Sequence, residues 1–242
     1  MKTIFASFGW LLLLLPFISM AGTKTILRTI NSTISSEDRQ VSDFTGISSS
    51  GSYDIYVKMG ASESLRIEGD EDVIGNIETK VDKGILKIRN TKNTGWNWNV
   101  RQKVKIYITA KSLNQLSISG SGSMEIDGTI KSSTINTQVS GSGNMRMTVE
   151  CSTLNAAVSG SGNIRISGSA SDANVAVSGS GGFDGKNLKT STTDARVSGS
   201  GNVWVFADER LNAALSGSGN INYSGNARVS QSKSGSGRIS KN

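Results

Sequence analysis

The stretch Asn155-Ala156-Ala157-Val158-Ser159-Gly160-Ser161-Gly162-Asn163-Ile164-Arg165-Ile166 decides the fold. Apolar residues stand at every second position on both sides of a Ser-Gly-Ser-Gly tetrapeptide, with Ala156 and Val158 before it and Ile164 and Ile166 after it. Such alternation is the pattern of a strand with one buried face, so the segment reads as two strands joined by a sharp corner. The tetrapeptide begins again at Ser119, Ser140, Ser178, Ser198, Ser216 and Ser234, which with Ser159 makes seven copies spaced 18 to 21 residues apart. Apolar positions that keep their offsets over that period predict an all-β chain whose C-terminal half is a parallel β-helix, each coil stacked on the next.

The offsets assign the columns on either side of each corner. Ile118, Val139, Val158, Val177, Val197 and Leu215 immediately precede the tetrapeptides, and Met124, Met145, Ile164, Phe183, Val203 and Ile221 follow at the fifth offset, so both columns are expected to point inward. The corner glycines are Gly120, Gly122, Gly141, Gly143, Gly160, Gly162, Gly179, Gly181, Gly199, Gly201, Gly217 and Gly219. At a corner, a positive φ or a close neighbouring backbone excludes a Cβ. Asn144, Asn163, Asn202 and Asn220 share the fourth offset, while Asn136, Asn155, Asn174 and Asn212, with Asp194, share the position four before the tetrapeptide. Amides in register bond to the coils above and below, which makes two structural ladders. Between the inward positions, the sixth offset carries Glu125, Arg146, Arg165, Asp184 and Trp204, and is expected to face solvent with Glu125 beside Arg146 and Arg165 beside Asp184. The last copy replaces apolar residues with Gln231 and Lys233, as a terminal turn that discourages further strand pairing would.

Composition supports this reading. The 242 residues include 28 Gly, one Pro and only 6% aromatics, too little bulk for an ordinary globular core, so small residues must repeat in register instead. Residues 1–21 combine Lys2, an apolar run from Ile4 to Ile18 and the closing Ser19-Met20-Ala21, the layout of a secretory signal peptide. Its removal takes the formal charge from +7 to +6. No other segment is apolar and long enough to span a bilayer. The mild basic excess is scattered along the chain, which does not point to a nucleic-acid partner.

The same composition argues against catalysis. Histidine is absent, and Cys151 is the only cysteine, which removes the usual general base, the Ser-His-Asp arrangement and most zinc sites. The repeat half has eight acidic residues, none sharing a column with another in an adjacent coil, so the paired carboxylates of a polysaccharide-cleaving β-helix are not expected. The glycine-rich corners lack the Gly-Lys-Ser/Thr ending of a phosphate loop and the Asp of a calcium-binding β-roll. A non-enzymatic protein with no cofactor and no metal is the expectation.

Residues 22–40 read as a leader segment, and residues 41–115 as a β-rich portion of longer strands. The alternating runs are Tyr53 to Val57, Ser64 to Glu68, Ile85 to Ile88 and Val104 to Ile108, with a partial corner at Ser49-Ser50-Gly51-Ser52. They form either early, broad coils or a small sandwich leading into the repeat domain, residues 116–242. Phe44-Thr45-Gly46-Ile47, Gly51-Ser52-Tyr53-Asp54-Ile55, Ile67-Glu68-Gly69-Asp70, Gly84 to Ile88 and the Gly-Asn-Ile triplets at Gly162 and Gly219 resemble the adhesin head GIN domain family common in Bacteroidetes. The resemblance covers roughly residues 40–235 and implies an exported β-solenoid with no catalytic residues to carry over. The repeats run to the end of the sequence, which leaves no expectation of a membrane β-barrel after them. Candidate ligand contacts are Trp96, Asn97 and Trp98, which alternatively cover the N-terminal end of the solenoid, and Trp204 on the outward column. The expected partner is a cell-surface glycan or, alternatively, an envelope protein.

Overall fold

The computed structural model describes residues 34–91 and 104–242; the signal-peptide stretch and the candidate contacts Trp96, Asn97 and Trp98 lie outside them. The chain is nearly all strand and winds into a parallel β-solenoid of about seven turns. Alternation and register explain why. Val139, Val158, Val177, Val197 and Leu215 stand opposite one another in successive parallel strands, and none is more than 3% exposed. Each side chain therefore packs on its equivalent one coil away, and the core is a set of such columns along the axis.

The regular coils are continuous bent strands: β8 (Gln115–Gly120) leads to β9 (Ser123–Gly141), β10 (Asn144–Gly160), β11 (Asn163–Gly179) and β12 (Gly182–Gly199). The later coils split into β13 (Asn202–Phe206), β14 (Arg210–Gly217), β15 (Asn220–Ser224), β16 (Arg228–Ser234) and β17 (Arg238–Lys241). The two glycines of a corner serve different needs. Gly160 has φ of 111°, a conformation that L side chains rarely adopt. At Gly143 an added Cβ would lie 2.8 Å from the carbonyl oxygen of Gly122 in the coil before, so here the close approach of two backbones requires glycine. Two coils are longer than the rest because of bulges, one between Arg146 and Thr148 against β9 and one between Arg165 and Ser167 against β12.

The N-terminal strands contribute rungs to this same stack and not a separate sandwich, and their order along the axis is not their order in the chain. The first rung made, β2 (Gly46–Ser50) and β3 (Asp54–Met59), pairs in parallel with β8 and β9. The partial corner is a true one: Gly51 donates its N–H to the carbonyl of Ser119 at 3.0 Å, although 68 positions separate them. Strands β6 (Ile85–Asn90) and β7 (Lys105–Ala110) then pair with the opposite edges of β2 and β3. Antiparallel strands finish this end: β4 (Ser64–Asp70) on β7, β1 (Ile34–Arg39) on β4, and β5 (Ile77–Asp82) on β6. Strand β1 falls in the stretch read from sequence as a leader segment. The one described helix, α1 (Glu71–Ile74), is a single turn capped by the Asp70 side chain, which accepts from the N–H of Asp72.

Arg39 ties this end together. Its guanidinium donates to the carbonyls of Ile74, at 3.0 Å, and Ile77, and to the Thr79 hydroxyl at 3.3 Å, joining β1 to α1 and β5. At the opposite end, Gln231 and Lys233 on β16 are exposed, and the Lys233 ammonium donates to the carbonyl of Gly237 at 3.1 Å.

Candidate functional site

The outward column at the sixth offset runs the length of one face. Register places Tyr107, Tyr56, Glu125, Arg146, Arg165, Asp184 and Trp204 side by side, one per rung. These residues point outward because their neighbours on either side, such as Met145 and Met147 beside Arg146, point into the core. With rungs about 4.8 Å apart, Tyr56 and Trp204 stand about 24 Å apart along the axis. The column and its flanks line a groove of about 640 Å³ whose walls include Tyr56, Arg146, Asp184, Lys186 and Trp204.

The two ends of the groove are aromatic. Tyr56 stacks on Tyr107 with ring centroids 5.4 Å apart, and the two residues remain 39% and 38% exposed. At the other end the Lys186 ammonium lies 4.7 Å from the centroid of the Trp204 ring. Lys186 reaches that position because the bulge after Arg165 gives its coil one residue more than the coil before. Between the ends the column is charged. Arg165 donates to Asp184 at 3.0 Å, whereas Arg146 and Glu125 stand in register and, among the described residues, do not close the ion pair expected from their adjacency. The Arg146 guanidinium is thereby left to solvent in the middle of the groove.

The fourth-offset column forms the polar border of the groove. Ser123 donates to Asp54 at 2.7 Å, Asn163 to Asn144 at 3.1 Å and Asn220 to Asn202 at 2.9 Å. Between Asn163 and Asn202 stands Gly182, where the amide is missing. The second amide ladder lies on the other face, where Asn155 donates to Asn136, Asn174 to Asn155 and Asn212 to Asp194, at 2.8 to 3.0 Å. That face borders a second, smaller groove of about 430 Å³ with Asn136, Gln138 and Arg196 in its wall.

Of the sequence-derived contacts, Trp204 is thus half-buried at one end of the larger groove, in register with Asp184. Tyr56, Tyr107 and Lys186 were not singled out from sequence. Lys186 had a signal in the longer coil, but the tyrosines had none, since they are neighbours only through the permuted order of rungs. Among the described residues no cluster of three or more His, Cys, Asp or Glu side chains could hold a metal ion. Burial pushes the Cys151 thiol upward, away from the thiolate needed of a nucleophile. No described helix is long and apolar enough to cross a membrane.

Comparison with known proteins gives relatives of the same architecture. A putative adhesin from Bacteroides fragilis NCTC 9343 has 26% identity and a TM-score of 0.81, with 86% of this chain and 97% of that chain covered. A putative lipid binding protein from Parabacteroides distasonis ATCC 8503, also 26% identical, has a TM-score of 0.70 over 87% of this chain and 97% of that one. A putative adhesin from Parabacteroides merdae ATCC 43184, at 19% identity and a TM-score of 0.67 over 87% and 97%, shares the fold. No curated protein matches the chain. The family described as "Putative auto-transporter adhesin, head GIN domain" matches residues 43–227, and the chain belongs to that family.

Proposed function

We propose that this protein is an exported, non-enzymatic adhesion module that binds an extended surface glycan along the groove from Tyr56 to Trp204. The observation that carries the reading is the outward column itself: aromatic rings at both ends and, between them, two arginines flanked by Glu125 and Asp184 on one face. Flat rings offer apolar stacking surface to the C–H faces of sugars, and the guanidinium, carboxylate and amide groups between them match hydroxyls and acidic substituents. A rigid sheet holds these groups at a fixed spacing before the ligand arrives, which limits the ordering cost of binding. One relative bears a lipid-binding name. The polar border and charged floor of this groove favour sugars over acyl chains, and the interior columns are filled by their own side chains.

Immobilised polysaccharides and envelope proteins, presented in parallel to the chain, test the reading. Retention on polysaccharide, lost when Tyr56 and Trp204 are both replaced by Ala while the melting temperature stays within about 2 °C, is expected. Retention on envelope protein alone would replace the glycan reading with one of protein contact.

A further inference from the structure

Three irregularities of the repeat fall together on one coil. The copy beginning at Ser178 has Gly182 where its neighbours have Asn163 and Asn202, Gly185 at an otherwise apolar offset, and the additional residue that carries Lys186 to Trp204. Gly185 has a packing reason, since an added Cβ would lie 2.6 Å from the buried ring of Phe183. Gly182 has no such reason in the core. An added Cβ there would meet the Asn163 Oδ1 at 2.9 Å and the Asn202 carbonyl at 3.2 Å, on the border of the groove.

The ladder shows what is missing. In each intact step the amide of one coil donates through Nδ2 to the Oδ1 of the coil before, as Asn163 does to Asn144 and Asn220 to Asn202. A side chain at position 182 would donate to Asn163 Oδ1 and accept from Asn202 Nδ2. Among the described residues neither atom has a hydrogen-bond partner, so an acceptor and a donor face each other across one empty rung. A secondary amide satisfies both at once from opposite ends, with its N–H toward Asn163 and its C=O toward Asn202. Beside this gap stand the Trp204 ring and the Arg165–Asp184 pair.

We infer that the gap at Gly182 is a subsite for the acetamido group of an N-acetylated amino sugar, which completes the amide ladder while the sugar ring lies against Trp204 and its hydroxyls meet Arg165 and Asp184. The inference rests on the glycan reading of the groove and narrows it to a ligand class. Two hydrogen bonds to an acetamido group, absent from a sugar that carries a hydroxyl instead, give about tenfold selectivity.

The test is isothermal titration of the intact chain with the N-acetylglucosamine tetramer, an N-acetylgalactosamine oligomer, and cellotetraose, which lacks the acetamido group. At least one acetylated probe is expected to bind about tenfold more tightly than cellotetraose, and the comparison of the two identifies the sugar. Gly182→Asn fills the rung with the protein's own amide and should abolish the preference without lowering the melting temperature. Its Cβ has to displace only the tip of Asn163 and a carbonyl contact. Asn202→Ala removes the donor while leaving the rung open, and should also abolish the preference, which guards against misfolding of the first variant. Equal binding of all probes, or a preference that survives both substitutions, overturns the acetamido subsite but leaves the glycan groove standing. Binding of none of the probes also overturns the subsite, and retention on the polysaccharide surfaces then decides separately whether the glycan reading falls with it.

Discussion

The regular coils and the N-terminal rungs are two solutions to the same problem of stacking strands. From β9 to β12 each strand pairs with its neighbours in sequence, and its buried residues recur in register, as Val139, Val158, Val177 and Val197 do. From β1 to β7 the chain lays down an inner rung, makes an outer one, and returns across both to begin the repeats at β8. Here the buried residues, Phe44, Leu65, Ile67, Leu86 and Ile106 among them, follow no repeat along the sequence. The difference shows that a repeat needs only nearest-neighbour complementarity to propagate, but its end must be closed by something unlike itself. Antiparallel strands do this well, because β1 and β5 turn the growing edge away from the register in which another coil would add.

The sharpest way to break the regular half is to charge one column. Val177→Asp buries a carboxylate between Val158 and Val197 and should cost several kcal/mol, enough to abolish cooperative unfolding of a fold of ordinary stability. Ala176→Asp, one residue away on the exposed face, should change the urea midpoint little. Equal losses at the two positions would show that the alternation is reversed.

A glycine in each region separates corner from turn. Gly160→Ala meets both a φ of 111° and the carbonyl oxygen of Gly141, which would lie 2.6 Å from the new Cβ, and should cost about 1 to 3 kcal/mol. Gly84, in the turn between β5 and β6, has φ of 73° and open space, with only the Thr45 hydroxyl at 3.9 Å. Gly84→Asn should therefore be tolerated, since Asn adopts the left-handed region at low cost. Denaturant melts that rank the two variants the other way would remove the stacking argument for the corners.

The smallest expected effect concerns pH. The carboxylates of Glu37, Glu78 and Asp82 are held below their ordinary range by hydrogen bonds from Arg39, Arg89 and Lys87, and all three lie in β1 or the β5–β6 hairpin. A carboxyl whose folded pKa is depressed stabilises the fold fully above its unfolded pKa, and that contribution is lost as pH falls through the folded value. Acid below about pH 4 should loosen the N-terminal strands by this route. All three pairs are solvent-exposed or nearly so, and the change is correspondingly small. The difference in melting temperature between the wild type and Glu78→Gln should shrink as pH falls from 6 to 3; a constant difference would show that the pair contributes nothing.

The sequence by itself determined the coil, its corners, and the inward or outward sense of the residues that flank each corner from Leu116 onward. It could do so because a period of two within each strand and a period near 19 between strands leave one register in which the apolar columns coincide. It also contained the gap at Gly182, visible as the missing member of an Asn column, although the gap acquires meaning only once Asn163 and Asn202 are seen to face it with an unpaired acceptor and donor. Tertiary structure alone decided the order of the N-terminal rungs. Strands without a repeat carry no register mark, and which one covers which edge depends on long-range pairing and on side-chain volume that local periodicity does not record. The same long-range pairing set Tyr107 beside Tyr56, bulged Lys186 onto Trp204, and left Arg146 without the ion pair that adjacency to Glu125 had suggested.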